Sequence, residues 1–81
     1  MQVQVRLFAI LRERAGQSIV LLDLPEGATV NQAAVRLGEQ LPALTPMLAK
    51  VAFAVNLEYA PATQMLSEGD ELAVIPAVSG G

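Results

Sequence analysis

An α+β domain, with one main helix packed across one face of a mixed sheet of four to five strands, is predicted by three observations. Period-two alternation marks the first and last strand-forming stretches, a capped segment with helical spacing lies between them, and the elements run strand, strand, helix, strand, strand. The 81 residues leave room for one domain, 1–81, and none for a second. A domain this small is expected to be marginally stable, so the 53% hydrophobic content is needed first for a core, and any surplus is available for a partner surface.

Val3, Val5 and Leu7 alternate with Gln2, Gln4 and Arg6, so the chain opens with a strand that has one face on a core. Phe8 falls on the parity of the polar residues, and its ring is expected to point away from that core. Ala9 to Ala15 can form one or two helical turns, closed by Gly16 in a left-handed cap. Within Ser18 to Leu24, Val20, Leu22 and Leu24 share one face, and the turn Pro25-Glu26-Gly27 ends a strand expected to form an antiparallel hairpin with the first.

Thr29-Val30-Asn31-Gln32 has the spacing of a capping box and predicts a sharp helix start. Val30, Ala33, Ala34, Leu37 and Leu41 then form an apolar stripe that Pro42 terminates, with Gly38 an unfavourable interior residue that suits a close backbone approach. Thr45-Pro46 reads as a cap followed by one short turn over Pro46 to Lys50. Phe53, Val55 and Leu57 alternate with Ala52, Ala54 and Asn56 in a strand of the sheet interior; Tyr59-Ala60-Pro61 breaks the pattern, placing Tyr59 just beyond that strand beside a turn, and Pro61 limits any strand there to an edge. Ser67-Glu68-Gly69-Asp70 is a turn, and Leu72 and Val74 alternate with Glu71, Ala73 and Ile75 in a last strand ended by Pro76.

Composition removes several functions. Cys and His are both absent, which excludes disulfides, thiolate or imidazole metal centres and His-assisted nucleophiles. A net charge of −3 without an aromatic–basic stripe argues against a nucleic-acid partner. The longest apolar stretches are far shorter than a bilayer span, and Met1 to Arg6 alternates instead of presenting a basic and then an apolar block. No membrane partner and a cytoplasmic location are therefore expected.

Gly80-Gly81 allows two readings. Small residues at a chain end fray readily, and nothing more is then implied. Alternatively, residues without a Cβ enter a channel too narrow for any side chain, and the Gly81 carboxylate becomes the reactive group. Such a carboxylate is inert until converted to a mixed anhydride with AMP, which needs magnesium and cationic groups that this chain does not supply. Arg12 with Glu13, Lys50, and the pair Asp70 and Glu71 read as solvated or turn residues, not as recognition or acid–base groups.

The sequence resembles the sulfur-carrier small subunits of molybdopterin synthase, which are ubiquitin-like β-grasp proteins. The resemblance runs through Leu7-Phe8-Ala9, Leu11-Arg12-Glu13 and Gly16, then Ala54-Val55-Asn56, then Leu66 with Glu68-Gly69-Asp70-Glu71, and closes on Ile75-Pro76-Ala77-Val78-Ser79-Gly80-Gly81. Ala77 departs from the pattern, since the family usually has a second proline there. The resemblance implies that an E1-like adenylyltransferase activates the Gly81 carboxylate with ATP and magnesium, that sulfur replaces AMP to leave a thiocarboxylate, and that the tail delivers it to cyclic pyranopterin monophosphate in the large catalytic subunit. No cofactor bound by this chain is implied. Val78, Ser79 and Gly80 are expected to thread into the partner, from a tail, 77–81, that is flexible when free. Phe8, Tyr59 and Ile75 match the family's contact positions for the large subunit. A related carrier for thiamine or tRNA thiolation, or a ubiquitin-like protein modifier, shares the fold and the terminal glycines.

Overall fold

The computed structural model describes residues 1–76; the tail 77–81 lies outside the described residues. Strand β1 (Gln2–Leu7) and strand β2 (Ile19–Asp23) flank helix α1 (Ala9–Ala15), and helix α2 (Val30–Gln40) runs into a 3₁₀ segment, Pro42–Lys50. Strands β3 (Val51–Val55), β4 (Glu58–Tyr59) and β5 (Glu71–Pro76) follow. The five strands form one mixed sheet in the order β2-β1-β5-β3-β4, in which β1 and β5 are parallel and the other neighbours antiparallel. The last strand is therefore the middle one, buried between the first and the third.

Alternation decides which face meets the helix. Val3, Val5 and Leu7 of β1, Val20 and Leu22 of β2, and Leu72 and Val74 of β5 are buried together with Val30, Ala33 and Leu37 of α2. Leu11 of α1 and Leu44 of the 3₁₀ segment close the ends of this core. No polar or charged side chain is buried among the described residues, so the core is held by apolar contact alone.

The start of α2 shows how the chain satisfies its backbone. The capping box is complete: the Gln32 amide donates to Thr29 Oγ1 at 3.3 Å, and the Thr29 amide donates to Gln32 Oε1 at 2.8 Å. The first two helical amides find partners in the long connection before β5, Val30 N–H on the Gln64 carbonyl and Asn31 N–H on the Ala62 carbonyl, both at 2.9 Å. Leu66, buried on the same connection, donates its amide to the Ala28 carbonyl at 2.8 Å. The connection is thus fastened to the helix start and hands the chain on to β5.

Two expectations change. Thr45 does not cap a separate turn; the 3₁₀ segment begins at Pro42 and runs through Pro46, and the Thr45 hydroxyl donates to the Gly38 carbonyl at 3.3 Å. The same contact explains Gly38, since a Cβ there would stand 3.0 Å from Thr45 Oγ1. Leu57 does not continue β3: Asn56 and Leu57, with φ of 49° and 73°, are the two central residues of a hairpin that pairs Val55 with Glu58. Positive φ at both positions is type I′ geometry, whose twist matches that of the flanking strands. Tyr59 therefore lies in the short edge strand β4, not beyond a strand.

Candidate functional site

The sheet face away from α2 carries the site. Cross-strand register places Ala73 of β5 opposite Ala54 of β3, and Ala54 opposite Tyr59 of β4. Ala52 pairs with Ile75 in the same way. Small side chains in the middle of this face leave a depression, and larger ones stand around it.

Phe8 forms one wall. β1 ends at Leu7, Phe8 stays extended as the residue before α1, and Ala9 takes a left-handed φ of 50° that turns the chain into the helix. The Phe8 ring thereby remains on the open face, 40% exposed, because alternation continues one residue beyond the strand. Tyr59 is 80% exposed and Ile75 half-buried. Phe8 and Ile75, expected here from strand parity, and Tyr59, expected here from the family resemblance, line one apolar groove of about 680 Å³ whose floor is Ala54 and Ala73. Among the described residues, neither α1 nor a loop covers it.

Pro76 also lines the groove, so the chain leaves β5 toward 77–81 at the edge of this apolar surface. Val78, Ser79, Gly80 and Gly81 lie outside the described residues. The sequence reading missed Ile10 and Leu57, which complete the lining. Ile10 was hidden inside a helical stretch. Leu57 followed the strand alternation, and no glycine announced the hairpin turn that moves it to the groove.

A polar border adjoins the groove, where Arg6 Nε stands 3.1 Å from Glu71 Oε2 and both side chains are partly exposed. Such a pair contributes little to stability and chiefly fixes where the two charges sit. Asn56 stitches β3 to the start of β5. Its amide donates to the Glu71 carbonyl at 2.9 Å, its Nδ2 to Asp70 Oδ1 at 3.0 Å, and its Oδ1 accepts from the Glu71 amide at 3.0 Å. Asp70 Oδ2 accepts from the Ser67 amide at 2.7 Å, so this carboxylate closes its own turn, as expected from sequence. Arg12, Glu13 and Lys50 are solvent-exposed.

A mixed sheet of this order, with one main helix gripped on one face and the middle strand ending beside an apolar groove on the other, defines a ubiquitin-like β-grasp domain. The ThiS family model matches residues 5–81, and the chain belongs to that family. It is 36% identical over 83 residues to the molybdopterin synthase sulfur carrier subunit of Chlamydomonas reinhardtii, covering all of both chains. The subunit of the same name from Arabidopsis thaliana is 35% identical over 80 residues, which cover 99% of this chain and 83% of that one. Among solved structures, SAMP1 from Haloferax volcanii, a small archaeal modifier protein, superposes with a TM-score of 0.89 at 34% identity over the full length of both chains.

Proposed function

We propose that this protein is a sulfur carrier subunit of molybdopterin synthase, a non-catalytic partner that brings sulfur to the active site of the large subunit. The observation that carries the reading is the apolar groove of Phe8, Tyr59 and Ile75 with Pro76 in its lining, because it offers a partner an apolar seat next to the residue from which the chain end departs. The resemblance to sulfur carrier subunits over the whole chain supports the same assignment.

In this reading the Gly81 carboxylate attacks the α-phosphorus of ATP in an E1-like adenylyltransferase, releasing pyrophosphate and forming an acyl-adenylate. A sulfur donor displaces AMP and leaves a thiocarboxylate, which carries sulfur to cyclic pyranopterin monophosphate in two rounds. ATP and magnesium belong to the activating enzyme. With no cysteine to hold sulfur as a thiol or persulfide and no histidine to relay protons, the chain supplies a carboxylate and depends on its partners for the catalysts. Val78, Ser79 and Gly80 would occupy the partner's channel, where two residues without a Cβ beside the reacting carbonyl allow close approach.

The likeness to SAMP1 favours one second reading, a protein modifier joined to lysines of targets. Intact-mass measurement after incubation with the activating enzyme, ATP and a sulfur source separates the two. Exchange of oxygen for sulfur at the terminus is expected, and stable conjugates to many proteins without that exchange would refute the carrier reading. Appending one alanine after Gly81 is expected to abolish molybdoenzyme maturation; undiminished maturation with the added residue still in place would also refute it.

A further inference from the structure

Leu57 combines features that folding alone does not explain. It is 88% exposed, and its φ of 73° lies in the left-handed region, which disfavours any residue with a Cβ. It occupies the second central position of a type I′ turn, where glycine is favoured. The sequence thus keeps a bulky apolar side chain where its backbone is strained and its surface is wet. A scattered exposed leucine needs no explanation. This one lines the groove formed with Phe8, Tyr59 and Ile75, and the turn bearing it is fixed by the three hydrogen bonds of Asn56 to Asp70 and Glu71.

We infer that Leu57 is a binding anchor for the synthase large subunit, presented on a rigid turn, and that Asn56 is the residue that positions it. The inference rests on the carrier reading given above. The occupant follows from the carrier reading and from position: Pro76, the last described residue, lines the groove, so a large subunit that takes the chain end has this apolar surface beside it. The groove lining holds no charged side chain among the described residues, so the matching surface of the partner is apolar at its centre. Leu57 projects at the groove's margin, where it can enter a pocket of its own.

The test uses the full chain and the purified large subunit, with dissociation constants from calorimetry and melting temperatures from thermal unfolding. Leu57→Gly relieves the backbone strain, and Leu57→Asn keeps a side chain that tolerates the left-handed region. Each is expected to weaken binding roughly tenfold, in the range of an interface anchor, while the melting temperature holds or, for glycine, rises. Weaker binding with undiminished stability is an outcome that a purely structural role cannot give. Affinities within about twofold of the parent for both variants would overturn the inference, and so would loss for glycine with full retention for asparagine, which would assign the effect to turn rigidity. If the unmodified chain itself does not bind the large subunit, the carrier reading falls as well; if it binds and Phe8→Ala weakens it while Leu57 variants do not, only Leu57 is wrongly assigned.

Discussion

The two faces of the sheet are built from the same strands with opposite results. On the face under α2, alternate residues are large and branched, and Val3, Val5, Leu22, Leu72 and Val74 are almost fully excluded from water. On the other face the middle positions are Ala54 and Ala73, and the large side chains stand at the margins, with Phe8 and Tyr59 exposed. Volume is filled where the chain must hold itself together, and left empty where another protein can fill it. With neither cysteine nor histidine in the sequence, the proposed carrier role makes this second face matter more, since there the chain would act through contact.

Substitutions of similar chemistry should separate the two faces. Leu37, about 1% exposed beneath the sheet, loses core contact and leaves a cavity on Leu37→Ala, so unfolding free energy should fall by about 2–5 kcal/mol in urea titration. Large-subunit affinity, measured where the variant is still folded, should stay near the parent value. Phe8→Ala removes a ring that is already 40% exposed, so stability should fall by only about 1 kcal/mol. Its dissociation constant for the large subunit should nevertheless rise roughly tenfold or more. If Phe8→Ala proves as destabilising as Leu37→Ala, or leaves affinity untouched, the division of labour between the faces is wrong.

Sequence showed most of this division because both faces obey the same parity. Val3, Val5 and Leu7 fixed the buried face of β1, and Phe8, one step further, then had to lie on the other side. Ile75 followed from the same argument in β5, and the spacing of Thr29 and Gln32 marked the start of α2 to the residue. What parity could not show depends on contacts between distant segments. The Asn56-Leu57 turn is held by Asp70 and Glu71, far along the chain, and the run of 3₁₀ structure from Pro42 depends on packing against α2. Thr45 shows that even a neighbouring element can defeat a local reading: the Thr45-Pro46 pair reads as a cap, but the hydroxyl donates to the Gly38 carbonyl of α2. The middle place of β5 in the sheet is likewise a product of long-range pairing with β1 and β3, to which local periodicity is blind.

The smallest expected effect tests how tightly the layer behind α2 is packed, in contrast to the vacant space over Ala54 and Ala73. Replacing Gly38 with alanine in a helix should stabilise by up to about 1 kcal/mol through propensity. Here the added methyl would meet Thr45 Oγ1 at 3.0 Å and press on a hydroxyl that is bonded to the Gly38 carbonyl, so much of the gain should be cancelled. Removing that hydroxyl with Thr45→Ala leaves Leu48 Cδ1 at 3.4 Å as the nearest remaining contact, which a flexible side chain can accommodate. A double-mutant cycle in urea should therefore show Gly38→Ala to be more stabilising by about 0.5 kcal/mol or more in the Thr45→Ala background than in the parent. Equal effects in both backgrounds would mean that the helix has slack on this side, and that glycine at 38 is not there for the approach of the 3₁₀ segment.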